Sequence, residues 1–176
     1  MPRIPYQPAD LAQPADIVDA IRRRRGGRLL NLDRMLLHSP SFARGWNAFL
    51  GEVRGGLELP PKLRELAMCV VAVLNGAEYE FHHHAPEFIR AGGSQAQVVA
   101  MRKPEAAGSS AAFDAAERAV IRLTIDMTRN VAVGETTFAE VRASLRSDRL
   151  VVELVGVIAT YNMVSRFLVA LGIEPE

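Results

Sequence analysis

The amino-acid sequence predicts an all-α protein, and three observations support this prediction. Apolar residues recur every three to four positions along most of the chain after residue 14, which is the spacing of one helix face. Glycine pairs and prolines separate these stretches in the way that helix ends require. No stretch alternates between apolar and polar residues with turn signals on both sides, as a half-buried strand would.

Composition and charge exclude several classes of protein. Hydrophobic residues make up 49% and charged residues 23% of the 176 positions, which is typical of a folded domain and argues against disorder. The net charge of +1 provides no broad electrostatic field that would attract nucleic acid or an anionic membrane surface. We therefore predict that neither is a partner.

Cysteine content and the apolar segments indicate the cellular compartment. Cys69 is the single cysteine, so the chain has no intramolecular disulfide. The first residues lack the apolar core of a signal peptide. Residues 150–171 are strongly apolar but are interrupted by Glu153, Asn162 and Arg166, which predicts a buried or interface helix rather than a membrane span. We expect a cytoplasmic protein.

Proline spacing sets the first boundary of the chain. Four prolines fall within residues 1–14, too close together for a helix, so we predict an extended proline-rich arm there. Helical signals begin at residue 15 and continue to the end. Residues 15–176 are therefore predicted to form a single domain.

Three helices are predicted in the first third of this domain. The basic run Arg22–Arg25 falls at the end of the first of them, where cations suit the helix dipole and we expect contact with solvent, with binding of a phosphate or carboxylate as the alternative. Each apolar stripe is followed by a stop signal. The stripes and signals are residues 17–21 before Gly26-Gly27, 29–37 before Ser39-Pro40, and 42–53 before Gly55-Gly56.

The next two helices are predicted to form a central antiparallel hairpin. The first begins at Pro60-Pro61 and contains the uninterrupted apolar run Leu66–Leu74, which predicts burial on all sides. The turn Asn75-Gly76 separates it from the second helix, Tyr79–Arg90. Pro86 lies inside that second helix and predicts a kink or a split just after the histidines.

The rest of the chain is predicted to be helical apart from one linker. The linker, residues 103–112, is rich in alanine, glycine, serine and proline. The helices around it are one from a Ser94 cap to Met101, one over residues 114–129, one capped by Thr136 or Thr137, and a long last helix that begins at Ser147.

A candidate proton-transfer site lies on the predicted hairpin. Glu65 precedes the turn by about ten residues and His84 follows it by about eight, so antiparallel packing brings the two together. Tyr79 and Glu80 lie one turn closer to the hairpin end, with Glu80 beneath His84 on the same face. Such a buried acid–imidazole pair can transfer protons, but it can also be a core ion pair that fixes the register of the helices.

Cys69 is predicted to be unreactive, and the run His82–His84 is predicted not to bind a metal. Cys69 follows Glu65 by one helical turn, and a nearby carboxylate in apolar surroundings raises the pKa of a thiol, so we predict an inert core residue. Consecutive histidines cannot all face one ion, so we predict no metal. A site formed by Glu80, His84 and a third group on another helix stays open as an alternative.

The segment from Glu65 to His84 resembles the motif region of the carboxymuconolactone decarboxylase and alkylhydroperoxidase D superfamily. In that group a glutamate precedes a Cys-x-Tyr-Cys turn and a histidine. The resemblance matches Glu65, Tyr79 and His84 to the glutamate, tyrosine and histidine, and it puts Ala77 and Glu80 at the cysteine positions. It implies an alkylhydroperoxidase D-like helical bundle and a homo-oligomer.

Loss of both cysteines bears on the activity that the resemblance implies. Peroxide reduction through a disulfide needs an attacking thiolate and a resolving thiol, and Ala77 and Glu80 supply neither. The decarboxylase branch needs no cofactor and no cysteine pair. The resemblance therefore implies cofactor-independent acid–base chemistry, decarboxylation or isomerisation, on a small organic acid or lactone.

We expect four catalytic residues and no cofactor for this reaction. Glu80 and His84 would exchange the proton, Glu65 would orient His84, and Tyr79 would bind a substrate oxygen. Burial of Glu80 beside Glu65 should raise the pKa of at least one of the two carboxyl groups.

A carboxylate substrate would need an arginine, for which Arg64 and Arg166 are the candidates. The alternatives are a peroxidase or antioxidant activity and a non-enzymatic or metal-binding helical domain.

Overall fold

The computed structural model describes residues Met1–Glu176 and confirms that the protein is all-α, with ten helices and no strand. The helices are α1 (Ala15–Arg24), α2 (Asn31–Leu36), α3 (Pro40–Gly55), α4 (Pro61–Leu74), α5 (Glu78–Arg90), α6 (Gln95–Met101), α7 (Pro104–Ala107), α8 (Ala115–Asn130), α9 (Glu135–Leu145) and α10 (Asp148–Leu171).

Two local predictions differ from the structure. The predicted linker contains the one-turn helix α7, since Pro104 suits a first helical position. The cap of α9 is Gly134, so Thr136 and Thr137 lie inside the helix instead of before it. Of the kink or split predicted at Pro86, the split is absent, since helix α5 continues through this residue, and the kink stays a prediction. Proline removes only one backbone hydrogen bond there, and the buried face of α5 stays packed on both sides of it.

The chain divides into two compact units. The first contains Met1–Leu57 and Ala170–Glu176, and the second contains Glu58–Val169. The single domain over residues 15–176 stays a prediction.

In the first unit, the proline-rich arm is bound to its own chain. It contains no helix, and the Arg3 amide donates a hydrogen bond to the Leu171 carbonyl at 2.9 Å. Arg34 donates to the carbonyl of Gln7. His38 lies 2.8 Å from the carbonyl oxygen of Pro5, so it helps to hold the arm in place.

The basic run at the end of α1 forms ion pairs within the first unit. Arg24 and Arg25 form ion pairs with Asp33 at 3.5 and 3.1 Å. The side chain of Asp33 is only 1% exposed, so these two cations neutralise a buried carboxylate. For Arg24 and Arg25 the structure thus shows the alternative of carboxylate binding instead of simple contact with solvent, because the loop after α1 brings Asp33 back to them.

Helix α4 is the centre of the second unit. Eight consecutive residues, Glu65–Ala72, are buried, as the apolar run predicts. The helix contacts α5, α6, α7 and α8. A helix covered on so many sides needs an apolar surface all round, and Glu65 is the one ionisable residue in its buried part besides Cys69.

The turn between α4 and α5 is fixed by backbone and side-chain hydrogen bonds. Gly76 has a φ of 65°, a conformation that glycine adopts without steric cost, and the Ala77 amide donates to the Ala72 carbonyl at 2.8 Å. The Asn75 side chain donates to Asn162 at 3.0 Å and to Ser165 at 2.7 Å. These bonds fasten the turn to α10 and set the register of the hairpin.

Helix α10 is long and apolar enough to cross a membrane by length and composition alone, with a mean hydropathy of 1.7 over its most apolar window. Half of that window is buried inside the protein. The core helix of a soluble protein passes the same test of length, so this is weak evidence for a membrane span.

Candidate active site

Glu65 and His84 meet across the α4–α5 hairpin. Nδ1 of His84 lies 2.7 Å from Oε2 of Glu65, and the two side chains are 13% and 8% exposed. The equal distances from the turn predicted this contact, and the structure confirms it. The pair is therefore a short, largely buried hydrogen bond between an acid and an imidazole.

The environment of Glu65 favours its ionised form. Burial opposes ionisation, but the hydrogen bond from His84, the charge of His84 and the charge of Arg64 outweigh burial and hold the pKa of Glu65 below its ordinary value. An ionised carboxylate must accept the hydrogen bond, so Nδ1 of His84 carries the proton. A raised pKa was expected for at least one of the carboxyl groups of Glu65 and Glu80, and Glu65 is not the raised one, because His84 and Arg64 adjoin it.

Arg64 supports the pair from the other side. Its Nε lies 3.4 Å from Oε1 of Glu65, and its side chain is only 15% exposed. The Glu65 carboxylate thus has an imidazole on one oxygen and a guanidinium near the other.

Two tyrosines pack against neighbouring histidines of α5. The ring of Tyr79 lies 4.5 Å from that of His83. The ring of Tyr161, from α10, meets that of His84 edge to face at 4.9 Å, and Tyr161 is completely buried. Tyr161 therefore fixes the orientation of the His84 ring.

Glu80 is buried as well, at 2% exposure. Its charge acts on the Cys69 thiol together with that of Glu65, so both carboxylates lie close to the same buried sulfur. The hairpin therefore brings Glu65 and His84 into direct contact and places Glu80 in the surrounding core.

Cys69 is an inert thiol, as its position on α4 predicts. The side chain is completely buried. Burial and the charges of Glu65 and Glu80 raise the pKa of the thiol strongly, and the opposing charge of Arg102 does not compensate. The thiolate needed for redox chemistry is therefore disfavoured.

We expect Cys69 to resist alkylation in the folded protein. Iodoacetamide at neutral pH should leave it unmodified, while the urea-unfolded chain should react rapidly, because only thiolate is nucleophilic. Mass spectrometry of the intact protein measures both states. Modification of the folded chain at the unfolded rate would contradict the assigned environment.

No group of three or more His, Cys, Asp or Glu side chains is arranged to hold a metal ion. The run His82–His84 places His82 and His83 edge to face with ring centroids 5.3 Å apart. The three histidines thus make aromatic ring contacts with each other or with a tyrosine.

A cleft of about 300 Å³ opens beside Glu65. It lies between the first turn of α4 and the last turns of α5, and its lining does not include Tyr79, Glu80 or His84. Glu65 therefore links the cleft to His84. The lining residues are Pro61, Arg64, Glu65, Glu87, Arg90 and Ala91.

Sequence reasoning missed Arg90 and the role of Tyr161. No periodicity relates α10 to α5, so nothing in the sequence pairs Tyr161 with His84. Arg90 could have been predicted from the hairpin. It follows His84 by about as many residues as Pro60 precedes Glu65, so antiparallel packing places it near the start of α4. Arg166 does not line the cleft, and it donates to the carbonyl of Asn162 within α10.

Acid should weaken the fold through Glu65. The pKa of this carboxyl lies below its ordinary value of 4.5 in the folded protein, so its ionisation stabilises the fold above that pH and the contribution is lost as the pH falls below it. We expect the difference in unfolding free energy between the wild type and Glu65→Gln to shrink between about pH 5 and pH 3 in urea titrations. A difference that is constant over this range would contradict the assignment.

Comparison with protein families gives one match to this chain. Residues 40–126 match the model of the carboxymuconolactone decarboxylase family. Comparison with curated protein sequences gives no significant match.

Several solved structures share the fold. The chain superposes on a peroxidase-related protein from Silicibacter sp. TM1040 with a TM-score of 0.79 and 19% identity, over 98% of this chain and 94% of the other. A peroxidase-related protein from Ralstonia eutropha JMP134, described as an alkylhydroperoxidase AhpD core, gives a TM-score of 0.81 and 18% identity, over 99% of this chain and 92% of the other.

The debrominase Bmp8, in complex with 2,3,4-tribromopyrrole, gives a TM-score of 0.80 and 15% identity over 100% of this chain and 94% of the other. At these identities the likeness shows the fold alone. It confirms the predicted alkylhydroperoxidase D-like helical arrangement.

Proposed function

We propose that this chain, which belongs to the carboxymuconolactone decarboxylase family, catalyses cofactor-independent acid–base chemistry on a small organic acid or lactone. The reaction is a decarboxylation or an isomerisation. The observation that supports this proposal is the 2.7 Å hydrogen bond between His84 and Glu65, of which Glu65 lines a cleft. A histidine held by a carboxylate is a common arrangement for a general acid or base.

His84 carries the proton in this mechanism. With Nδ1–H donated to Glu65, Nε2 is the nitrogen that takes a proton from carbon or returns one to it. In a decarboxylation, the bond between the carboxylate and the adjacent carbon breaks, and its electron pair stays on that carbon and spreads onto a neighbouring carbonyl. The imidazolium of His84 then gives its proton to that carbon, while the ionised Glu65 stabilises the imidazolium beforehand.

Tyr79 and Glu80 assist in the proposed mechanism. Both side chains are buried, and Tyr79 packs against His83. In such an interior a fixed donor has a larger electrostatic effect than in solvent. We assign Tyr79 a hydrogen bond to a substrate oxygen and Glu80 the exchange of a proton alongside His84.

The second candidate is hydroperoxide reduction, which the likeness to peroxidase-related proteins favours. That reaction oxidises a thiolate and needs a second thiol to resolve the product. Cys69 is the only cysteine of the chain and is fully buried. The two candidates therefore differ in their need for this single sulfur.

One experiment separates the candidates. The protein is incubated in D₂O with a panel of small keto acids, unsaturated acids and lactone acids, and NMR follows deuterium incorporation at carbon and loss of the carboxyl carbon. We expect exchange or decarboxylation above the uncatalysed rate for at least one acid, and equal activity in Cys69→Ser. No acid reacting would overturn the proposal, and so would turnover of a hydroperoxide with a thiol donor that Cys69→Ser abolishes.

A further inference from the structure

The cleft beside Glu65 contains two arginines, one of which is already bound by the carboxylate of Glu87. Arg64 and Arg90 line it from α4 and α5. Nε of Arg90 donates to Oε2 of Glu87 at 2.9 Å, and a terminal nitrogen of Arg90 contacts the other oxygen. Glu87 therefore holds Arg90 in the two-pronged geometry with which a guanidinium binds a carboxylate.

The two arginines differ in how firmly they are held. Arg64 is 15% exposed and lies against the buried Glu65. Arg90 and Glu87 are 66% and 48% exposed, and an ion pair in solvent contributes little stability. Glu87 can thus be exchanged for another carboxylate at small cost, whereas the contact of Arg64 with Glu65 persists.

We propose that this cleft is a carboxylate-binding site in which Glu87 occupies Arg90 until a substrate carboxylate displaces it. The bound carboxylate lies between Arg90 and Arg64, and Glu87 turns into solvent. Arg90 and Glu87 are then the residues that determine specificity: the first attracts an anion, and the second competes with it. The inference rests on the proposed function for its class of ligand.

Size and position support a small ligand. A volume of about 300 Å³ is at the lower end of small-molecule sites, which suits an acid of a few carbons. Glu65 forms part of the cleft wall and bonds to His84. An acid anchored by its carboxylate at this wall lies next to the proton-transfer pair.

If Glu87 competes with the ligand for Arg90, neutralising Glu87 and neutralising Arg90 should have opposite effects on acid binding. Neutralising a surface carboxylate that takes no part in the site would leave ligand binding unchanged. A carboxylate that competes with the ligand should, when neutralised, leave Arg90 available and remove a repulsive charge. Glu87→Gln should therefore bind acids more tightly than the wild type, while Arg90→Gln should bind them more weakly.

Calorimetric titration of the full-length protein with butyrate and succinate at low salt tests this inference, with butyramide as the neutral analogue. We expect Arg90→Gln to raise the dissociation constant about tenfold and Glu87→Gln to lower it several-fold. Arg129→Gln is the matched control, because Arg129 forms a similarly exposed ion pair with Glu105 outside the cleft, and it should bind as the wild type does.

The outcomes separate this inference from the proposed function. Failure of the wild type to bind either acid, equal binding of butyramide, or unchanged binding in both cleft variants would overturn the carboxylate site, even where proton exchange is observed. The expected changes in binding without any turnover would support the site and count against the proposed function. Thermal melts of each variant show that the fold is intact.

Discussion

Replacing His84 with glutamine is expected to lower the rate of proton exchange on the substrate by about 10²- to 10⁴-fold. Glutamine is similar in size and can still donate a hydrogen bond to Glu65, so the hairpin keeps its contact. It cannot take up and release a proton near neutral pH. The measurement is kcat/KM for deuterium incorporation by NMR, on the acid identified in the substrate panel.

His82→Gln is the matched control for this substitution. His82 lies on the same helix and is exposed, so its loss should leave the rate unchanged. Equal rates for His84→Gln and the wild type would remove His84 from the mechanism. Equal losses in both variants would mean that the effect comes from α5 as a whole and not from one imidazole.

Glu65 is a positioning residue in this scheme, and its removal should have a distinct signature. Glu65→Gln takes away the anion that stabilises the imidazolium of His84. The pH at which half of the base activity is reached should therefore fall, in addition to the loss of rate. A purely structural role for Glu65 would change the rate and stability without moving the pH profile.

Gly93→Ala is expected to destabilise the protein by about 2–4 kcal/mol. A Cβ added at Gly93 would lie 2.1 Å from Cε1 and 2.3 Å from Cδ1 of Phe88. Phe88 is completely buried, so its ring cannot swing into solvent to make room. Gly92 precedes it with a φ of 97°, and this tight exit from α5 holds the backbone against the ring.

Urea unfolding and thermal melts measure this loss, which should lower the Tm by about 5–15 °C for a chain of this size. Gly45→Ala is the control, because Gly45 lies on the exposed side of α3 with no atom within 4 Å of an added Cβ. It should stabilise the protein by up to ~1 kcal/mol. Adding Phe88→Leu to Gly93→Ala should recover part of the lost stability, and no recovery would mean that the clash is not with this ring.

The parts of the site that follow from helix geometry could be predicted from the sequence. Glu65 and His84 are nearly equidistant from one short turn, and a constant rise per residue then places them side by side. The burial of α4 followed equally directly from the unbroken run Leu66–Leu74. In both cases the local pattern alone determines the result.

Contacts that depend on how distant segments return to each other could not be predicted in this way. Tyr161 reaches His84 from a helix that no spacing relates to α5, and Asp33 reaches Arg24 and Arg25 through the loop after α1. The lowered pKa of Glu65 depends mainly on His84, which reaches it from α5. The start of α9 was misplaced because Gly134 and the threonines after it are all acceptable caps.

The Asn75–Ala77 turn carries a constraint that reaches the far end of the hairpin. One residue inserted or deleted there would rotate all of α5 by about 100° relative to α4 and shift it by about 1.5 Å. His84 would then face away from Glu65 although neither residue had changed. The length of this loop is consequently as much a requirement for proton transfer as the identity of the residues that perform it, and homologues with the same chemistry should show no length variation at this position.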